Sequence, residues 1–167
     1  MRYIKQKDTY SCGPIALINA MKWAGFNYTY KDLKRMQRLC KCKYPNGTHW
    51  RDMTNAIRDM SKLMTTTRKN WPLILDIIKH LEKDGVVILA YKRDPKHVGH
   101  YILITDYDKE KQEFKVVNAG RPCTRTTSKM KKDTLDNIIK HRYMKNRRPH
   151  FPAAWFIRFK VMRREAA

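Results

Sequence analysis

Long hydrophobic runs are missing from this chain of 167 residues. The longest, VVILAY at Val86–Tyr91, falls far short of the roughly 20 residues that cross a bilayer. Residues 1–11 are polar and contain no apolar stretch of the secretory kind, so the expectation is an intracellular, cytoplasmic protein with no membrane insertion. Cysteine is too sparse for a disulfide framework: Cys12, Cys40, Cys42 and Cys123 show no recognisable pairing pattern and are expected to stay reduced. Repeats and Gly/Ser/Pro-rich linkers are absent as well, which argues for one domain over residues 1–167. Acidic residues are few, 15 against 37 lysines and arginines, for a formal charge of +22. A field of that sign attracts anions such as nucleic acid, acidic lipid surfaces or acidic protein segments. Hydrophobic residues still make up 42%, enough for a core and too many for a disordered chain.

The first half has helical periodicity. Beyond Cys12, the residues Ile15, Ala16, Ile18, Asn19, Met21, Lys22 and Trp23 recur at helix spacing, and Gly25 closes the run. Thr29 suits the cap of a second helix reaching about Leu39, and Thr48 that of a third, HWRDMTNAIRDMSKL, with Trp50, Met53, Ile57 and Met60 inward. A fourth helix is expected from Pro72, with Gly85 just past its end. After that the period changes to two. VVILAY, HYILITDY (His100–Tyr107) and EFKVVN (Glu113–Asn118) are strands, the last two forming a hairpin across the polar DKEKQ. A helix near Lys132–His141 and a strand over Ala154–Val161 complete the pattern. Helices first and antiparallel strands afterwards predict an α+β fold with the helices on one side of a sheet.

One thiol stands at a chemically useful place. In QKDTYSCGPIALINA, Cys12 opens the first helix, where unpaired N–H groups and the helix dipole favour a thiolate. Gly13 leaves the backbone beside the sulfur unobstructed, and Pro14 suits a first turn because its missing N–H would find no partner there. Upstream, the Gln6 amide can aim at the same spot as the Cys12 backbone N–H, and two donors aimed at one place make an oxyanion hole. A cysteine nucleophile needs a base, and the base an orienter. His100 opens one strand of the hairpin and Asn118 ends the other, so imidazole and carboxamide meet at one edge. The Asn118 side-chain oxygen is expected to accept from the ring and fix its tautomer.

With these pieces in chain order, Gln6 before SCGPIALINA, then DGVVILAY, GHYILITDYD and FKVVNAG, the sequence resembles the papain-like cysteine peptidases. It is most similar to the branch that cleaves double-glycine leader peptides, in a stand-alone form. The likeness covers about Arg2–Gly25 and Asp84–Gly120. It implies a papain-like fold with an N-terminal helical part against a C-terminal antiparallel sheet, no cofactor, and a peptide or protein substrate. Cys12 becomes the nucleophile, His100 the general base and acid, Asn118 the orienter and Gln6 the oxyanion donor. That branch usually has Asp where Asn118 stands, and NAG replaces the more usual NDP; Asp106 and Asp108 are the nearby alternatives, at the far end of the hairpin.

Other constellations point elsewhere. Cys40, Cys42, His49 and Cys123 raise zinc, but Cys-x-Cys is tighter than structural zinc spacing. His97 sits in a polar loop, and Trp23 and Trp50 fit the apolar stripes of their helices. Ser128–Phe151 is rich in Lys and Arg interleaved with Tyr143 and Phe151, a composition that can hold a phosphate backbone. Its rival reading is a solvated helix face and loop. A catalytically idle papain-like fold that binds nucleic acid or an acidic protein is therefore the alternative to a peptidase. A virus particle or infected cell is a setting that suits both halves.

Overall fold

Val86–Tyr91 is apolar at every position, and a strand with two apolar faces must be covered on both. That requirement organises the molecule. The computed structural model describes residues 3–91, 99–118, 126–145 and 152–160, with 141–145 as backbone only. In chain order it contains α1 (Cys12–Trp23), a one-turn 3-10 helix (Tyr30–Asp32), α2 (Leu33–Leu39), α3 (Trp50–Asp59), β1 (Met64–Asn70), α4 (Ile74–Leu81) and β2 (Val86–Tyr91). Then come β3 (His100–Asp108), β4 (Glu113–Val117), β5 (Thr127–Lys131), α5 (Lys132–Lys145) and β6 (Ala153–Phe159). The strands form one six-stranded sheet in the order β1-β6-β2-β3-β4-β5, every neighbouring pair antiparallel. The fold is α+β, as the pattern of elements implies.

The two faces of the sheet are covered by different helices. Val86, Ile88 and Ala90 share a core with Ile15 and Ile18 of α1, Met36 of α2 and Met53 of α3. Val87, Leu89 and Tyr91 pack instead with Ile77 of α4 and with Leu135 and Ile139 of α5. The expectation of helices on one side is corrected here: α4 and α5 occupy the opposite face, because β2 has no polar face to give to water. Each fully buried aliphatic side chain in these cores contributes about 1.5–3 kcal/mol. α1 lies so deep that Lys22 is its one residue not buried.

Other boundaries shift for local reasons. The 3-10 turn is entered through Thr29, whose N–H donates to Asp32 Oδ2 at 2.7 Å while its hydroxyl accepts from Lys31 N. His49, not Thr48, caps α3, its Nδ1 accepting from Arg51 N at 3.3 Å. α3 stops at Asp59, so that Met64 can begin a strand. α4 begins at Ile74, after Pro72, α5 runs on to Lys145, and β6 spans Ala153–Phe159; Val161 lies outside the described residues. β1 and β5, which periodicity does not announce, are the edge strands and are largely exposed. Trp50 is partly buried: it packs against the core and also stacks with the Arg68 and Arg51 guanidinium groups. Among the described residues no helix is long and apolar enough to cross a membrane.

His80 at the end of α4 packs edge-on against Phe156, and its Nε2 lies 3.0 Å from the Ile157 carbonyl. Gly85 makes room for it; a Cβ there would run into the ring at Nε2. Burial holds the ring's pKa below its ordinary value, partly offset by the bond to Ile157. The unfolded chain therefore takes up this proton first on acidification, and stability present above about pH 6.5 is lost as pH falls through that range. Urea unfolding at pH 7.5 and 5.5 should show a smaller loss of midpoint in His80→Gln than in the unaltered chain. Equal losses would mean that His80 is not a source of the pH dependence.

Candidate active site

Cys12 is the first residue of α1, and the turn before it is tied down by Asp8. One Asp8 oxygen accepts from Tyr10 N at 3.0 Å and Ser11 N at 2.7 Å, and the Ser11 hydroxyl lies 2.7 Å from both carboxylate oxygens. Ser11, the N-cap, has its side chain engaged with Asp8 and makes no capping bond to the helix. First-turn N–H groups point out of the end of a helix, so Asp8 fixes the direction in which Cys12 and its backbone face. A Cβ on Gly13 would come within 2.9 Å of the Thr48 side chain. Only glycine lets the Thr48 segment approach this close.

The segment carrying Gln6 belongs to no helix or strand, and two buried asparagines meet its backbone. Ile4 N donates to Asn19 Oδ1 at 2.7 Å, and Asn19 Nδ2 donates back to Ile4 O at 2.9 Å. From the other side Asn118 Nδ2 donates to Ile4 O at 3.2 Å, and Gln6 N donates to Asn118 Oδ1 at 3.4 Å. The Gln6 side chain then reaches toward the helix turn, its Nε2 donating to Asp8 O at 2.8 Å; its Oε1 is buried with no hydrogen-bond partner among the described residues.

His100 comes to the same place across the sheet. The β3–β4 register pairs Leu103 with Val117, which sets Asn118 diagonally across from His100. At φ +57° Asn118 leaves the strand conformation, as asparagine tolerates better than most residues. His100 Nε2 lies 2.9 Å from the Asn118 main-chain carbonyl oxygen. A carbonyl can only accept, so Nε2 is the donor in this bond. The ring also packs edge-on against Tyr91, its cross-strand neighbour.

Gln6, Asn118 and His100 are thus joined by hydrogen bonds, and Gln6 is linked through Asp8 to the turn that starts α1. Relative exposures are 3% for Gln6, 2% for Cys12, 5% for His100 and 2% for Asn118. The expected contact between imidazole and the Asn118 side-chain oxygen is replaced by one to the Asn118 main chain. Asp106 and Asp108 are engaged in the far turn, Asp106 with Tyr107 N and Asp108 with Lys111.

The remaining thiols are of another kind. Cys40 is buried, which pushes its pKa well up, with smaller contributions from Cys42 and Asp52. Cys42 donates to Tyr10 O at 3.4 Å, and burial raises its thiol too. Among the described residues no group of His, Cys, Asp and Glu could hold a metal ion. Cys123, His97 and Phe151 lie outside the described residues, as does the Tyr143 side chain. Asp8 and Asn19 escaped sequence reasoning. Their signals were present: an Asp three residues before the N-cap, and one Asn inside an otherwise apolar buried helix.

A sequence profile described as the Peptidase_C39 like family matches residues 1–149. The chain belongs to that family. Its structure is similar to the peptidase domain of Streptococcus ComA, a bifunctional ABC transporter involved in quorum sensing. The TM-score is 0.66 at 16% identity, over 93% of this chain and 98% of that one. It is also similar to a double glycine motif protease from an AMS/PCAT transporter, crystallised with the leader peptide. There the TM-score is 0.61 at 12% identity, over 93% of this chain and 90% of that one. No curated protein matches the chain in sequence. At such identities the structures establish a shared fold, and the profile establishes the family. Membership in the Peptidase_C39 like family supports a cysteine peptidase over an idle, charge-driven binding module.

Asp8→Ala should cost about 1–2 kcal/mol, in the range of a lost helix cap, because it strips acceptors from Tyr10 N, Ser11 N and the Ser11 hydroxyl at once. Chemical denaturation measures this, and an unchanged midpoint would show that the turn holds without its carboxylate.

Proposed function

We propose that the chain is a cysteine peptidase in which Cys12 is the nucleophile, His100 the general base and acid, Asn118 the orienter and Gln6 the oxyanion donor. The observation that carries this reading is the bond between His100 Nε2 and the Asn118 carbonyl. With Nε2 donating there, we assign the role of base to Nδ1, at the end of the sheet to which the Gln6 segment is tied. Nδ1 takes the Cys12 proton as the sulfur attacks a peptide carbonyl. The resulting oxyanion accepts from the Cys12 backbone N–H and from Gln6 Nε2. An amide nitrogen carries two hydrogens, and with one given to Asp8 O the other remains for substrate. Collapse breaks the C–N bond, and His100 returns the proton to the leaving amine. Water, losing a proton to His100, then cleaves the thioester, giving a carboxylic acid product and the free thiol.

The substrate we propose is a peptide or protein segment, cleaved at a peptide or isopeptide bond. A structural relative acting on a double glycine motif makes peptides with paired glycines the first to try. No cofactor enters the scheme.

Acylation by p-nitrophenyl acetate tests the assignment without a known substrate. The unaltered chain should release a burst of p-nitrophenol and carry an acetyl group on Cys12 by mass spectrometry. Cys12→Ala should abolish both, and His100→Ala should leave a small residue of the rate. Gln6→Ala should reduce acylation about a hundredfold, the loss expected for one oxyanion donor. A burst that survives Cys12→Ala, or an acetyl group found on Cys42 instead, would overturn the assignment.

A further inference from the structure

The proposed mechanism gives Asn118 one task, and the geometry divides that residue into two working parts. Toward His100 it presents its main-chain carbonyl, 2.9 Å from Nε2. An imidazole nitrogen carries a single hydrogen, so this contact uses what Nε2 can donate. The carboxamide is occupied on the other side, where Oδ1 accepts from Gln6 N at 3.4 Å and Nδ2 donates to Ile4 O at 3.2 Å. Gln6 and Asn118 are both buried, and Ile4 O receives a second bond from Asn19 in α1. The Gln6 segment, which no strand holds, therefore sits between an amide from the central helix and an amide from the end of β4.

We infer that Asn118 orients His100 through its backbone carbonyl, while its carboxamide is a clamp that positions the Gln6 segment and so the oxyanion donor. This rests on the peptidase reading above. It makes Asn118 a positioning residue twice over, and it explains why asparagine stands at this site. A residue here must tolerate φ +57° and must both accept from Gln6 N and donate to Ile4 O. Aspartate meets the first demand but has no N–H for the carbonyl. Glycine meets the backbone demand and has no amide at all.

The experiment compares Asn118→Gly, Asn118→Asp and Gln6→Ala, each alone and with either Asn118 change combined with Gln6→Ala. The readouts are the p-nitrophenyl acetate burst and 15N NMR of the His100 ring. In Asn118→Gly the ring should keep its proton on Nε2, and its titration midpoint should stay within about 0.3 pH units, because the carbonyl is retained. Acylation should fall about tenfold in that variant, and by less than about twofold when Gln6 is already alanine, since both changes then act on one element. Asn118→Asp should be impaired about as much as Asn118→Gly. The inference is overturned if Asn118→Gly moves the proton to Nδ1 or shifts the titration, if its loss multiplies fully with that of Gln6→Ala, or if Asn118→Asp retains full acylation. Should Asn118→Gly fail to fold, the similarly sized aspartate variant carries the same comparison. The ring spectrum is read without substrate, so it tests the carbonyl contact even where the burst assay fails the peptidase reading itself.

Discussion

A segment in no helix or strand must still satisfy its backbone, and around Ile4 that need is met by two buried side-chain amides. Asn19 reaches out from α1 and Asn118 comes in from the end of β4. The functional candidates depend on this junction. Gln6 is two residues along the clamped segment, Cys12 begins the helix that contains Asn19, and the Asn118 carbonyl meets the His100 ring. Buried amides left unpaired would cost about 1–3 kcal/mol each, so satisfied polar groups hold three separate chain segments to one geometry. Apolar packing alone would allow them to slide.

The two-faced sheet supplies the rigidity behind the junction. β2 and β3 are its central pair, covered by α1–α3 on one face and by α4 and α5 on the other. His100 begins β3, paired with Tyr91 of β2, so its ring is carried by a strand with neighbours on both sides. α1 packs in the same core as Tyr101 and Leu103, which ties the helix bearing the sulfur to the strand bearing the imidazole. The result is a site assembled from rigid elements and closed to solvent at Cys12.

The departures from the family pattern noted in FKVVNAG have a physical setting. Where the double-glycine branch usually carries a carboxylate, this chain carries an amide, and the amide meets both a donor, Gln6 N, and an acceptor, Ile4 O. A carboxylate is an acceptor only, so the residue type fits the neighbours it has. The +22 charge stands apart from this chemistry. Its best-defined local use is to pair with the few acids, as Lys69 does with Asp76 and Lys109 with Glu82.

The positions of Cys12 at a helix start and of His100 and Asn118 at strand ends were legible in sequence, because a Gly-Pro pair and period-two apolar runs are local signals. So were α1, the β3–β4 hairpin and the α+β class. The edge strands β1 and β5 were not, since an edge strand buries too little to impose a period. Nor was the placing of α4 and α5 across the sheet from α1, which follows from β2 needing cover on both faces. Which part of Asn118 touches His100 was beyond sequence altogether. That choice depends on a backbone angle and on the approach of a segment more than a hundred positions away, and residue types alone do not encode the direction of a carbonyl.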